Sequence, residues 1–345
     1  MFDIILTIFL LLSPIIILPA IGDITALQFY QFGVIDSTNF NLQLQFFQLG
    51  VIVLFIISMF KKKARELEDK WLALFLFVSL VSVILHPKSV LVFGNIFLGF
   101  LLYKLTFEHA RHIRLLLFAV VIVSIFNFIA QMSQLLGVRF IYQYAGLMKN
   151  PSHLGTYYAL SIPIFYIFSP VLTIIPIVGL LLTKTWTAVF SVVFTIGYVF
   201  RKKIIDRLDI VLIMLLMSIL AIFIILFYRP MLRDLYPRLL IWKETLKSLT
   251  FLGHGFGDFN MSKPGQFDKA TNTYNVYLGL LYSLGIFSIP IFIWLHRILK
   301  IRNKLFPSIL ILVIIGSGQS IMDFPRLAGT AIVLFSLLKL KGGNV

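Results

Sequence analysis

The sequence has no cysteine and few charged residues. Without cysteine, the chain has no disulfide framework, no thiolate nucleophile and no cysteine metal ligand. Only 13% of its 345 residues are charged, against about 25% in an average soluble domain. Apolar residues make up 59% of the chain, and the mean hydropathy is +0.98. Since this much apolar sequence is difficult to bury around an aqueous core, the composition predicts that lipid surrounds most of the chain.

Acidic residues are also scarce, with 14 Asp and Glu against 30 Lys and Arg and a net charge of +16. In a soluble protein this excess would suggest a nucleic-acid partner. In a membrane protein, cytoplasmic loops rich in Lys and Arg account for it, so we expect no nucleic acid. The N-terminus begins with Asp3 and has neither a basic segment nor a small-residue cleavage site. These features of the N-terminal segment predict a retained first span rather than a removed signal peptide.

Long stretches without charge predict an all-α, polytopic membrane protein with about 12 spans. As one helix, 154–183 would be roughly 45 Å long, against a bilayer core of roughly 30 Å. A break at Ser169-Pro170 gives two short spans and leaves the basic segment 201–207 on the cytoplasmic side. The predicted spans are 4–20, 44–60, 71–85, 90–103, 115–136, two within 154–183, 186–200, 208–228, 274–295, 308–321 and 328–340.

Five basic segments determine the predicted orientation, because cytoplasmic loops are enriched in Lys and Arg. Both termini are then cytoplasmic, and a single transmembrane domain covers residues 1–345. One long extracytoplasmic loop, 229–273, is inserted within it. The five predicted cytoplasmic segments are 61–70, 107–114, 201–207, 296–304 and 339–345.

The predicted loop 229–273 is more basic than its position suggests, with seven basic and four acidic residues. Long loops are partly exempt from the charge rule, so it could be an ordinary solvated loop. The alternative is a site for a phosphate-bearing ligand, since cations on several outer segments would focus positive potential there. Further cations on predicted outer segments include Arg139, Lys149, Lys184 and Arg326.

Arg238 and Trp242 are four residues apart, so in a helix they share one face. Pro237 suits the first turn of such a helix, with Asp234 near its start as a cap. The pair could simply pack at the membrane interface, with the guanidinium stacked on the indole. Alternatively, the ring could stack on a sugar while the guanidinium binds phosphate.

The run 253–257 alternates glycine with His254 and Phe256, which allows close backbone approach or positive φ. His254 is a candidate general base, although a lone histidine in a polar loop is often merely exposed. The run is not a nucleotide-binding fingerprint, and no other motif has the spacing of a metal site, so we expect no metal. Asp323 and Arg326, three residues apart, could form a local ion pair.

Four stretches carry patterns beyond hydrophobicity. The first, 147–160, has Asn150-Pro151 at a predicted helix start followed by Leu-Gly. The second, 180–190, has Thr183-Lys184-Thr185 between two apolar runs. The third joins Arg238-x-x-x-Trp242 to the Gly-x-Gly run. The fourth, 275–285, begins with Asn275-Val-Tyr-Leu.

Together these stretches resemble the O-antigen polymerase and O-antigen ligase superfamily of bacterial membrane glycosyltransferases. His153 or Ser152 stands where the family has a second Asn. Lys184 keeps the charge of the family's Arg but lacks its bidentate fork. Tyr274 replaces a His that activates the acceptor hydroxyl in ligases. Because Tyr has a reference pKa of about 10 and is a poor base at neutral pH, this departure favours a polymerase.

The resemblance implies a GT-C-like fold and a glycan donor on polyprenyl (undecaprenyl) pyrophosphate, used without cofactor. It places the protein in the bacterial inner membrane with its active site facing the periplasm. Membrane lipid, a chain-length regulator and a flippase are the implied partners. The implied catalytic residues are Arg238, Tyr274, Asn275, His254 and Asp323. The implied pyrophosphate and sugar ligands are Arg139, Tyr142, Tyr144, Asn150, His153, Lys184, Arg233, Trp242 and Arg326.

Two other functions fit the sequence. A ligase would move finished glycan to lipid A-core or to protein. A flippase for lipid-linked oligosaccharide would belong to a different class, but such transporters usually have ionisable residues within their spans and repeat symmetry. Here the spans are nearly free of charge, and the polar residues collect on one predicted face.

Overall fold

The computed structural model describes residues 1–14, 34–63, 65–67, 69–136, 146–148, 151–205, 229–256, 273, 275–318 and 325–340. In these ranges the regular structure is entirely helical, which confirms the all-α prediction for the part of the chain described. Short 3₁₀ turns occur at Pro87–Ser89, Val171–Thr173 and Gly285–Ser288. The α-helices are α1 (Phe2–Leu12), α2 (Val34–Met59), α3 (Lys70–Leu85), α4 (Val90–His109), α5 (Ile113–Leu135), α6 (Pro151–Phe168), α7 (Ile174–Thr183), α8 (Trp186–Ile205), α9 (Arg229–Lys247), α10 (Val276–Leu284), α11 (Ile289–Ile298), α12 (Phe306–Gly316) and α13 (Pro325–Lys339).

The predicted break in the stretch 154–183 is confirmed. Helix α6 ends at Phe168, and α7 begins at Ile174 after a 3₁₀ turn. The amide of Ser169 still donates to Phe165 O, but Pro170 has no amide hydrogen to continue the ladder. The other predicted spans overlap described helices, except for 208–228, which lies outside the described residues.

Two predicted helix ends were wrong. Helix α4 continues to His109 and α8 to Ile205, so both run into segments that were predicted as basic loops. Charge marks where a span leaves lipid, but it does not end a helix. Basic residues are in fact favourable at a helix C-terminus, where the macrodipole is negative.

The predicted start of the helix that carries Arg238 was also wrong. Helix α9 begins at Arg229, so Pro237 lies in its interior rather than in its first turn. Proline is frequent at a helix start because its missing N–H is not needed there, but that preference does not prevent a helix from continuing through it.

Among the described residues, two helical stretches are long and apolar enough to cross a membrane: Ile113–Leu135 and Val276–Ile298. The first is α5, and the second runs through α10, the 3₁₀ turn and α11. Shorter apolar helices make up much of the rest of the described chain, among them α3 and α12.

The described helices bury polar side chains and expose apolar ones. In α3, Ser79 and Ser82 are fully buried, while Phe77 is 63% and Ile84 is 72% exposed. In α5, Ser124, Asn127 and Gln131 are buried, whereas the exposed residues include Phe118, Phe126 and Ile129. A helix at the surface of a water-soluble protein has the opposite arrangement.

Contacts bring several basic segments together at one end of the helical bundle, which we call the basic end. Lys63 Nζ lies 3.4 Å from Glu108 Oε1, so the segment after α2 meets the end of α4. Lys339 Nζ lies 2.9 Å from Asp69 Oδ2, which joins the end of α13 to the start of α3. Asn303, just before α12, donates to Leu338 O in α13. Four of the five predicted cytoplasmic segments therefore have described residues at this end.

Candidate functional site

The C-terminal end of α12 lies opposite the basic end, because α12 begins beside Asn303. Two carbonyls just beyond this end accept hydrogen bonds from side chains of other segments. Arg238 Nη1 of α9 donates to Gly318 O at 2.8 Å, and Asn275 Nδ2 donates to Ser317 O at 2.8 Å. The last carbonyls of a helix have no partner within it. Arg238 and Asn275 bond to the carbonyls that directly follow the helix, and they hold α9 and the start of α10 against α12.

Asn275 is also the N-cap of α10. Its Oδ1 accepts from the amides of Tyr277 and Leu278, both at 3.0 Å, and its backbone is extended. Asparagine is among the favoured residues at this position because its side chain replaces the missing acceptor of the first turn. A single side chain therefore starts α10 with its oxygen and holds α12 with its nitrogen.

Trp242 reaches the same junction as Arg238. Its indole Nε1 donates to Thr273 O at 2.9 Å, and the Thr273 hydroxyl donates to Asn275 O at 2.6 Å. The prediction that Arg238 and Trp242 share a helix face is thus confirmed, since both contact the Asn275 region or its α12 neighbour. Their polar atoms bind backbone carbonyls, which fixes the orientation of both side chains.

A second junction joins the start of α6 to the turn between α7 and α8. The Thr185 hydroxyl donates to Pro151 O at 3.1 Å. A Cβ added to Gly155 would lie 2.5 Å from Thr185 Oγ1, so only glycine allows this approach. Lys184 is exposed and has a φ of +54°, while His153 is buried in the first turn of α6.

Gly318 connects the two junctions. Its carbonyl accepts from Arg238, and a Cβ added to it would lie 3.3 Å from Thr187 Cγ2. Thr187 is in the first turn of α8, three residues after Lys184. Arg238, Asn275 and the Lys184 turn are therefore gathered around the end of α12.

The glycine-rich run packs against the far end of α10. The amides of His254 and Gly255 donate to Tyr282 O and Ser283 O at 3.0 and 2.9 Å. Gly253 and Gly255 have φ values of +77° and +83°, in the region that glycine favours. Tyr282 is seven residues after Asn275, which is roughly 10 Å along a helix. The structure therefore does not bring His254 beside Asn275.

The imidazole of His254 is held on two sides. Its ring stacks on Tyr282 with centroids 4.3 Å apart, and its Nε2 lies 2.7 Å from Ser248 O. Because a carbonyl oxygen can only accept, Nε2 carries the proton. In the neutral ring, Nδ1 is then the nitrogen that could take a proton.

Ser89, in the α3–α4 turn, fixes the end of this run. Its hydroxyl donates to Phe256 O at 3.0 Å and lies 2.7 Å from Phe256 N. Sequence reasoning missed Ser89, Thr187 and Ser317, because each acts through a contact with a distant segment. Only Gly316-Ser317-Gly318 carried a usable signal, since glycine after an apolar run often marks a helix end.

Several predicted site residues lie outside the described residues, and their placement stays a prediction. Arg233 lies in α9 and Arg326 in α13, where the structure describes their backbone. Within the described chain, no group of three or more His, Asp and Glu could hold a metal ion. The predicted site residues outside the described part are Arg139, Tyr142, Tyr144, Asn150, Tyr274 and Asp323.

Comparison with known proteins yields no assignment. No protein family matches the sequence, and no curated protein matches it either. The functional interpretation therefore depends on the residues themselves and on where the fold places them.

Proposed function

We propose that this protein is a membrane-embedded polysaccharide polymerase. It would transfer a glycan from a polyprenyl pyrophosphate carrier to the non-reducing end of a lipid-linked repeat unit. The acceptor hydroxyl attacks the anomeric carbon, the bond to the pyrophosphate oxygen breaks, and the carrier pyrophosphate leaves. In the source bacterium this would occur at the periplasmic face of the inner membrane.

One observation carries the proposal. The four stretches that resemble the O-antigen polymerase and ligase superfamily are far apart in sequence, yet Arg238, Asn275 and the Lys184 turn meet around Gly318. The contact with Gly318 O explains how Arg238 is held, but it requires only an N–H and not a cation. A binding site for an anionic leaving group does require a cation, because fixed positive charge stabilises the charge that develops as the bond breaks.

The arrangement of the helices supports the membrane part of the proposal. Exposed apolar faces on α3 and α5 suit a hydrocarbon solvent. In such a solvent, the buried Ser124 and Asn127 of α5 donate to carbonyls of their own helix. The basic end suits the cytoplasmic side, and the Arg238 junction at the opposite end then faces outward. About 12 spans would follow if the predicted span 208–228 and the apolar helices all cross.

The roles of individual residues follow from their chemistry. Arg238 would bind the pyrophosphate, assisted by Lys184, Arg233 and Arg139, while Trp242 would stack on a sugar. The proton of the attacking hydroxyl must pass to a base, for which His153, His254 and Asp323 are the candidates.

Deletion of the gene in the source bacterium, followed by gel analysis of surface glycan, tests this function. A polymerase predicts that only single repeat units remain on the acceptor. Complete loss of glycan from the acceptor would indicate the ligase instead. An unchanged ladder of chain lengths would reject both enzymes and leave the flippase to be tested by lipid-linked intermediates.

A further inference from the structure

The basic end has a second feature, which the proposed enzyme activity does not explain. Among the described residues, the three largely covered carboxylates at this end, Asp3, Asp69 and Glu108, have cationic or N–H partners. Asp3 Oδ2 lies 2.7 Å from His112 Nδ1, and Asp69 Oδ2 accepts from Trp294 Nε1 at 3.0 Å as well as from Lys339. Together with the Glu108–Lys63 pair, these contacts remove negative charge from the surface.

The exposed charges left at this end are almost all positive. Among the residues whose exposure the structure describes, Glu66 is the acidic exception. Such a surface attracts polyanions. The exposed Lys and Arg residues are Lys61, Lys62, Lys63, Arg65, Lys70, Arg111, Arg114, Arg297, Lys300, Arg302 and Lys304.

One part of this surface combines cations with an aromatic ring. The guanidinium carbon of Arg297, in the last turn of α11, lies 5.8 Å from the centre of the Trp71 ring. Lys70 precedes Trp71 at the start of α3, and Lys300 follows Arg297 by three residues in the next turn. Since Asp69 is already bound by Lys339 and Trp294, it leaves the charge of these cations uncompensated.

The outward face of α3 continues from this cluster as an apolar surface. Lys70, Leu74 and Phe77 follow the spacing i, i+4 and i+7, which places them on one side of the helix. All three are exposed. A cation above an exposed apolar strip matches a molecule with an anionic head and a hydrocarbon tail. Tryptophan is also enriched at the level of lipid headgroups.

We infer that Lys70, Arg297 and Lys300, beside Trp71, bind the headgroup of an anionic phospholipid, with the acyl chains along α3. Nucleic acid would satisfy the cations but not the apolar strip, so lipid is the better match. The inference requires the membrane part of the proposed function and is independent of glycan transfer. A negative lipid test would therefore not contradict the proposed polymerase activity. A lack of polymerase activity would likewise not contradict the lipid site.

The test is a lipid titration of the full chain purified in a neutral detergent. Dioleoyl-phosphatidylglycerol and dioleoyl-phosphatidylcholine are added separately, and thermal stability is recorded at each concentration. We expect phosphatidylglycerol to raise the melting temperature at lower concentrations than phosphatidylcholine. Equal stabilisation of the unmodified protein by the two lipids would overturn the inference.

A matched pair of variants locates the site. Lys70→Gln with Lys300→Gln removes two cations from the cluster but keeps the contact between Arg297 and Trp71. Lys243→Gln with Lys247→Gln removes two exposed lysines from α9, away from the basic end. About 1 kcal/mol per basic residue at an anionic surface corresponds to about fivefold weaker binding for each charge removed. We expect this loss in the first pair only, and an equal loss in both pairs would contradict the site.

Two further ligands identify the partner. Glycerol phosphate carries the headgroup chemistry without acyl chains, and a short RNA oligonucleotide carries phosphates without an apolar part. Weak stabilisation by both is the expected result. If glycerol phosphate stabilises the protein as strongly as the lipid does, the apolar face of α3 does not contribute to binding. If RNA stabilises it as strongly, the ligand of this surface is nucleic acid and not lipid.

Discussion

Arg238 has two possible roles that a substitution can separate. In a purely structural role, Arg238 needs only an N–H that donates to Gly318 O. As a pyrophosphate ligand, it needs its charge. Arg238→Gln loses the charge, and its side chain is two atoms too short to reach Gly318 O, so we expect chain polymerisation to fall by about 10²–10³-fold, as when one donor to a developing anion is removed. The measurement is the rate of repeat-unit addition by purified protein.

Arg238→Lys and Lys243→Gln are the controls for this prediction. The lysine variant keeps the charge without the fork, so we expect it to retain more activity than the glutamine variant. Lys243 is an exposed cation on the same helix, and its loss should leave the rate unchanged. Normal polymerisation by Arg238→Gln would show that the reaction does not need the charge of Arg238, and the residue would then only join α9 to the end of α12.

Gly255 is required by both conformation and space. Its φ is +83°, and an added Cβ would lie 2.6 Å from His86 Cβ and 2.9 Å from Ser89 Oγ. We expect Gly255→Ala to destabilise the protein by about 1–3 kcal/mol, the range for a residue held in an unfavourable backbone region. Thermal unfolding in detergent provides the measurement.

Gly94 in α4 is the matched glycine for that experiment. Nothing lies within 4 Å of a Cβ added there. Gly94→Ala should therefore be neutral or stabilising by up to about 1 kcal/mol, since alanine is the better helix former. Equal losses in the two variants would show that the loop around Gly255 is not held as described.

At the scale of helices, Asn275 supports two elements with one side chain. Asn275→Ala removes the N-cap of α10 and the bond to Ser317 O. We expect a loss of about 2 kcal/mol, roughly half from each contact. Asn275→Ser keeps a capping oxygen but is too short to reach α12, so about half of the loss should remain. If Asn275→Ser melts at the same temperature as the wild type, the bond to α12 contributes nothing.

Local signals predicted much of each helix and little of how helices meet. Charge-free runs located α3 and α5 to within a few residues, and Pro170 located the break between α6 and α7. The bond from Asn275 to Ser317 spans 42 positions, and its formation depends on how α10 packs against α12. A single sequence carries no record of that packing. The positive φ of Gly253 and Gly255 was foreseeable, whereas their partners Ser283 and His86 were not.

For the whole molecule, the sequence predicted the basic end better than the candidate site. Like charges at the ends of successive spans must fall on one side if the spans alternate, and the contacts of Lys63, Lys339 and Asn303 agree. The site could be predicted only through a resemblance, because its residues come from separate segments. Its general base also stays a prediction, since Tyr274 and Asp323 lie outside the described residues.

The absence of cysteine makes the orientation directly testable, because any introduced cysteine is the single thiol in the chain. Lys62 is exposed at the basic end, and Lys243 is exposed on α9. If the chain spans the membrane with its basic end inside, a membrane-impermeant maleimide should label Lys243→Cys in intact spheroplasts. It should label Lys62→Cys only after the membrane is permeabilised. Labelling of both positions in intact spheroplasts would place the two ends on one side, and the candidate site would then lose its separation from the cytoplasm.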